Sequence, residues 1–320
     1  MSRVLAGNPR VHAELRERVL AAVEELSYRP NRVARSLRVQ QSSTIGLIIS
    51  DIQNPFFTSV VRAVEDVAYR HGYSIFLCNS DEDPEKERLY LNLMRDENVG
   101  GIIVTPAREK NAALDRDVVA QTPLVMLDRR MVDVEADAVL TDNLEAAYRL
   151  VSHLIANGHR RIGAIVGEAD ITTGRERMAG YVRALAEHGI ERTPALAIQV
   201  IPKERNGAEA AARLLALPEP PTAIFTGNNL LTLGALQAIR DRGLTIPDDV
   251  ALAGFDDMPW NSLLRPGITA VEQPTYELGR TAAELLLDRI KNPARPFREV
   301  ILKGRLIVRE SCGFPSKERV

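Results

Sequence analysis

From Thr44 onward the chain repeats one rhythm: a short apolar run, a stretch of helical periodicity, then another apolar run. Ile45-Gly46-Leu47-Ile48-Ile49, Ser74-Ile75-Phe76-Leu77, Gly101-Ile102-Ile103-Val104 and Leu124-Val125-Met126-Leu127 lack the polar alternation of a half-exposed strand. Strands apolar on both faces belong in a parallel sheet with helices on each side. Helical stretches fall between them at about 56–71, 84–97 and 111–120. The rhythm restarts at Arg161-Ile162-Gly163-Ala164-Ile165-Val166, Thr222-Ala223-Ile224-Phe225 and Val250-Ala251-Leu252-Ala253. Two such series predict an α/β chain with two doubly wound parallel-sheet lobes. Ligands of such sheets sit beyond the carboxyl ends of the strands, and two facing lobes turn that place into a cleft.

A chain of 320 residues has room for two lobes and a small head. In the head, Leu15, Val19, Ala22, Val23 and Leu26 recur at three- and four-residue spacing, which predicts a helix over about 13–26. Pro9 and Tyr28-Arg29-Pro30-Asn31 punctuate it, and Asn31 can cap a second short helix from Arg32 to Arg38. Gln40-Gln41-Ser42-Ser43 reads as a linker. Charge divides in the same place. Residues 1–40 hold eight Arg and no Lys against four Glu, net +4, while the rest carries 33 basic and 39 acidic residues, net −6. A basic head on an acidic body suits a polyanionic partner; on charge alone it suits a solvated helix equally well.

Several function classes fall away. No apolar run approaches the roughly 18–20 residues of a membrane span, and the opening Met1-Ser2-Arg3-Val4 has no signal pattern, so a cytoplasmic protein without membrane contact is expected. Cys78 and Cys312 are too few for a disulfide framework and read as buried hydrophobes. The chain has no phosphate-cradling P-loop, dinucleotide fingerprint or nucleophile elbow. His153 and His159, six apart, fall on nearly opposite faces of one helix or just beyond it, which suggests no metal. Asp256-Asp257 could be an acid/base pair, but consecutive residues point in different directions. No catalytic residue, metal or cofactor is expected, and the chain does not read as an enzyme.

The strand mouths carry polar and aromatic residues instead. After the first strand come Asn54-Pro55-Phe56-Phe57: Asn54 and Pro55 suit a helix start, and the two rings suit either core or a flat ligand. The fourth strand ends in Asp128-Arg129-Arg130, where a carboxylate accepts hydroxyl protons and a guanidinium donates. In the second half, Thr172-Thr173-Gly174-Arg175 opens a helix through Gly180-Tyr181. Arg175 there opposes the helix dipole unless it grips a ligand. Asn228-Asn229, Asp256 and Gln273 stand at later strand mouths.

An ordered set of segments carries a resemblance through essentially the whole chain. It comprises Ser2-Arg3-Val4-Leu5-Ala6-Gly7, the stretch ELRERVLAAVEELSYRPNRVARSLR from Glu14, Asp51 through Phe57, and Gly158-His159-Arg160-Arg161-Ile162-Gly163. Arg175 to Gly180, LGALQAIRDRGLTIPDDVALAGFDD from Leu233, and Leu306-Ile307-Val308-Arg309-Glu310-Ser311 complete it. The chain resembles LacI-type bacterial transcriptional repressors, in which a helix-turn-helix head for operator DNA precedes a periplasmic-binding-protein-like (type I) effector domain.

The resemblance implies roles. Arg32 through Arg38 would be the hinge helix, with Leu37 wedged into the minor groove, and Arg3, Tyr28, Asn31, Arg32 and Ala34 would serve DNA binding. Asn54, Phe56, Phe57, Asp128, Arg129, Arg175, Asn228, Asp256 and Gln273 would hold a sugar, sugar acid or sugar phosphate, with Arg175 and Asp256 essential; Trp260 either flanks the mouth or packs as core. Asn228-Asn229 stands where many relatives have Asn-Asp, a lost carboxylate that bears on which effector fits. The implied division is a head and hinge over 1–38, a linker over 39–43, one lobe over 44–141 plus 275–302, and the other over 142–274 plus 303–320. A homodimer through the outer helices near 58–70 and 84–97 is expected. Because relatives read Thr-Val-Ser-Arg-Val-Leu where this chain begins Met1-Ser2-Arg3-Val4-Leu5, the head is expected to be partial and its operator binding weak. The alternatives are a transport-type sugar-binding protein and an effector-binding fragment that does not bind DNA.

Overall fold

The computed structural model describes residues 4, 11–26, 42–110 and 122–313. The expected helices at 111–120 and 32–38 and the DNA-binding candidates Arg3, Tyr28, Asn31, Arg32, Ala34 and Leu37 lie outside them. The chain divides into a unit of residues 1–42 and a unit of residues 43–320. In the first, the expected helix forms over Ala13–Glu25. Its stripe is only half-covered: Val19, Ala22 and Val23 are partly buried, whereas Leu15 and Leu26 are exposed.

The second unit is built on twelve strands among the described residues. The first five are β1 (Thr44–Ile49), β2 (Ser74–Asn79), β3 (Gly101–Val104), β4 (Leu124–Leu127) and β5 (Asp137–Thr141). There follow β6 (Ile162–Val166), β7 (Ala197–Gln199), β8 (Ala223–Thr226), β9 (Ala251–Phe255) and β10 (Thr269–Glu272). The chain then adds β11 (Glu299–Leu302) and β12 (Arg305–Ile307). One sheet runs β11-β5-β4-β3-β1-β2 and the other β12-β10-β9-β8-β6-β7, the same order twice. The type I periplasmic-binding-protein-like architecture follows: two α/β lobes, each with its switch of strand order, between β1 and β3 in one and between β6 and β8 in the other. Among the described residues the one departure from parallel pairing is β12, which runs antiparallel to β10.

Helices begin where the sequence can satisfy their first amides. Asn54 and Asp83 cap the helices Pro55–Arg70 and Pro84–Asp96, accepting from Phe56 N and Glu85 N, with a proline filling each first turn. Asp142 and Asn228 do the same for Asn143–Ala156 and Asn229–Asp241. Each sheet buries both faces of its central strands, whereas β2, expected to be covered on both faces, is an edge strand and only partly covered. In the first lobe Leu47, Val60, Val64, Leu278 and Leu286 form one layer, and Ile48, Leu91, Met94 and Ile102 the other. In the second, Leu150, Leu154, Tyr181, Phe225 and Phe255 pack on one side, and Leu214, Ile224, Leu231 and Leu252 on the other. Cys78 and Cys312 are buried within these layers, and desolvation pushes both thiols up, away from reactive thiolate.

Close helix packing rests on particular glycines. A Cβ at Gly180 would meet the Leu144 carbonyl, the Ala147 Cβ at 2.8 Å and the Tyr148 amide at 2.8 Å. Two of those are backbone atoms and cannot step aside, so Gly180→Ala should destabilise the protein by about 1–3 kcal/mol. A denaturant midpoint unchanged in Gly180→Ala would refute this.

Candidate functional site

The carboxyl ends of the strands of both lobes meet around a narrow cleft. Asn54, Phe56, Phe57, Asp128 and Arg129 line it from the first lobe, and Asn228, Asp256 and Gln273 from the second, together with Ile171, Thr173, Gly174 and Arg177. Eight of the ten residues picked out above therefore gather in one place. Phe56 and Phe57 stand edge to face with centroids 4.9 Å apart. Both rings also belong to the first lobe's core, so the core and cleft readings hold together.

Asp128 and Asp256 follow β4 and β9, which hold the same place in the two sheets. Both adopt positive φ, 65° and 71°, a conformation that costs a non-glycine residue energy and that clusters at ligand clamps. Asp256 accepts from Gln273 Nε2 at 2.6 Å and from the Asn229 amide at 3.2 Å. Asp128 is 5% exposed, and its Oδ1 has no hydrogen-bond partner. Burial, partly countered by Arg129 and Arg177, raises its pKa to about 6. Asp257, by contrast, turns out of the cleft and binds Arg309 at 2.7 and 2.8 Å, which removes any acid/base pairing with Asp256.

One residue needs correcting. Arg175 does not line the cleft: its side chain is 41% exposed and paired with Glu109 and Glu176 at the lobe edge. The arginine of this helix that lines the cleft is Arg177, 5% exposed, two residues further along the same helix, Thr172–Glu187. Two residues along a helix are about 200° apart, so the two side chains leave on opposite faces. Arg177 donates to Asn143 Oδ1 at 2.9 Å and to the Gly227 carbonyl at 2.5 Å, and its guanidinium lies 3.9 Å from the Phe255 ring centroid. Burial lowers its pKa, against the pull of Asp256 and Asp128. Trp260 takes the first of its two expected places, flanking the cleft's mouth. It lines an adjoining groove with Phe56, Asp256 and Gln273, and an apolar groove with Leu233, Leu236 and Leu264, but not the cleft itself.

Arg129 lines the cleft but is not free to grip a ligand. Its terminal nitrogens donate to both oxygens of Glu82, at 2.6 and 2.7 Å, and Nη1 also reaches the Pro106 carbonyl at 3.3 Å. Burial acts to lower its pKa, but Glu82 and then Asp128 outweigh it and raise it. Only Nε lacks a hydrogen-bond partner. Asn228 is spent as a helix cap, while Asn229 Nδ2 donates across the cleft to Asn54 Oδ1 at 2.7 Å, leaving its own Oδ1 without a partner. The cleft thus holds an Asp128 oxygen without a hydrogen-bond partner, the Arg129 Nε at 3.7 Å from the other Asp128 oxygen, and two aromatic rings. Buried polar atoms in this state are costly unless a ligand or water meets them.

The lobes also touch at the cleft's margins. Lys203 reaches Asp51 at 2.8 Å and Asp81 at 2.6 Å on one side, and Arg108 reaches Asp170 at 3.0 Å and Glu168 at 3.3 Å on the other. Thr141 donates to Gln273 at 2.7 Å between them.

Residues 151–312 match the model of a periplasmic binding protein-like domain, and residues 1–31 that of bacterial regulatory proteins of the lacI family. The chain is similar to the HTH-type transcriptional repressor PurR of Mannheimia succiniciproducens, 32% identical over 314 residues, covering 97% of this chain and 93% of that protein. Among solved structures, a putative ribose operon repressor from Burkholderia thailandensis is 34% identical with a TM-score of 0.78, covering 83% of this chain and 99% of that one. A LacI family transcriptional regulator from Enterococcus faecium with bound ribose is 30% identical with a TM-score of 0.74, covering 84% and 98%. Among the described residues no helix is long and apolar enough to cross a membrane.

Proposed function

The chain belongs to the lacI family of bacterial regulatory proteins, and from that premise we propose that it is a transcriptional repressor whose operator binding is set by a neutral monosaccharide in the cleft. The observation that carries the ligand class is how the arginines are used. Arg129 is taken by Glu82, Arg130 by Glu299 at 3.2 Å, and Arg175 by Glu109. Arg177 faces two carboxylates, Asp128 and Asp256, so no net positive charge is left to hold a sugar acid or a phosphate. An Asp128 oxygen without a hydrogen-bond partner beside the Arg177 fork, with Phe56 and Phe57 in the same lining, fits vicinal hydroxyls on a ring with apolar C–H faces. The ribose named for two similar structures makes it the first ligand to try. The cleft binds rather than catalyses, and no turnover is expected.

In this reading residues 1–38 meet the operator, 39–43 link, and the lobes over 44–141 plus 275–302 and 142–274 plus 303–320 close on the effector. The working form is a homodimer, matching two operator half-sites. A thermal-shift screen of ribose, other neutral sugars, ribonate and ribose 5-phosphate tests the ligand class. A neutral sugar at 100 times its Kd should stabilise the protein by about 2.7 kcal/mol. A response confined to the anions would refute the reading.

A further inference from the structure

We propose that Glu82 fixes the charge class of the ligand, masking Arg129 so that the cleft takes neutral sugars and turns away their acids and phosphates. The proposal rests on the sugar reading above. Glu82 is 6% exposed and follows β2 in a turn where Asp81 and Glu82 both hold positive φ, 56° and 62°. Two consecutive non-glycine residues in that region persist only where their surroundings impose it. Here Lys203 of the other lobe holds Asp81 at 2.6 Å, the Ser50 carbonyl accepts from the Glu82 amide at 3.0 Å, and Arg129 takes both carboxylate oxygens.

The charge count shows what this turn accomplishes. The charged residues lining the cleft are Asp128, Arg129, Arg177 and Asp256, which sum to zero. Glu82, held by both terminal nitrogens of Arg129, tips the total to −1 and occupies the Arg129 fork. A merely structural partner for Arg129 would affect every ligand alike. A charge mask affects anions and neutral ligands differently, and that difference is what can be measured. A unit charge roughly 8 Å from a ligand, at an effective dielectric of about 20, alters affinity by more than tenfold.

Calorimetry on the full chain should compare D-ribose with D-ribonate, the same carbon skeleton with and without a carboxylate. Glu82→Gln keeps the shape and one acceptor but removes the charge, and should raise the ribonate-to-ribose affinity ratio at least tenfold. Arg129→Gln makes the opposite change, and should raise the ratio for 1-amino-1-deoxyribitol over ribose by a similar factor. Should either variant fail to fold, judged by its melting transition, the other decides. Wild-type protein that binds ribose, with the ratios unmoved in the folded variants, overturns the role of Glu82 alone. Wild-type protein that prefers ribonate, or that takes neither these two nor any neutral sugar of the thermal-shift screen, overturns the sugar reading and Glu82's role with it.

Discussion

Arg177→Met should weaken effector binding about a hundredfold, whereas Arg175→Met should change it less than about threefold. Both substitutions remove one positive charge from the same helix, so the contrast isolates position from charge. Arg177 lies in the cleft between Asp128 and Asp256, and Phe255 backs its guanidinium. Hydrogen bonds from a charged fork are worth about 1.5–3 kcal/mol each, and losing even one or two of them reaches roughly a hundredfold. Methionine keeps the apolar stem over Phe255 but frees Asn143 Oδ1 and the Gly227 carbonyl, so some stability goes as well. Arg177→Lys separates the two effects: it restores the charge without the planar fork and should recover only part of the affinity. Calorimetry on folded variants decides the matter. A larger loss at Arg175 than at Arg177 would return the ligand contact to the outer arginine.

The sequence did contain the signal for Arg177. Gly180, Tyr181, Ala184 and Leu185 form the buried stripe of the helix Thr172–Glu187, and stepping back three or four residues from Gly180 and Tyr181 reaches Arg177, then Thr173 and Gly174. Arg175 falls off that stripe. An unfavourable dipole position drew attention to it, although a nearby carboxylate, Glu109, explains it at less cost. Carboxylate partners remote in sequence are what one strand mouth cannot reveal. Arg129 looked like a ligand group because Glu82 is 47 residues away. The strands were legible wherever both faces are apolar and were missed elsewhere. β5 begins with Asp137, wholly buried because Arg289 and Arg295 clamp it, and no local pattern announces a carboxylate whose partners lie 152 and 158 residues on. β11 and β12 are short and half-exposed, and their pairing is set by the chain crossing between lobes. At Asn229 the side-chain amide donates to Asn54, a bond between the lobes that an isolated strand mouth does not announce.

Sugar affinity should rise with pH up to about 6 and level off above, and Asp128→Asn should flatten that dependence. The carboxylate lies at the mouth of β4, facing Arg129, Arg177, Asp256 and Glu82, with one oxygen unpartnered. Burial raises its pKa from 3.8 to about 6. In the free protein a proton is then held more tightly by the folded state than by the unfolded one. This group's contribution to stability is therefore full below its unfolded value and is lost as pH rises through about 6. A ligand hydroxyl donating to Asp128 favours the ionised form, so binding releases the proton and draws the pKa back down. Below about 6 that release costs affinity, approaching tenfold per pH unit where the group is fully protonated beforehand. The permanent amide of Asp128→Asn has no proton to release, and binding there should be weaker and indifferent to pH. Calorimetry between pH 5 and 8, in buffers of differing ionisation enthalpy, measures both affinity and proton count. A wild-type affinity that stays level from pH 5 to 7, with no proton released at pH 5.5, would show that the sugar does not meet the Asp128 carboxylate.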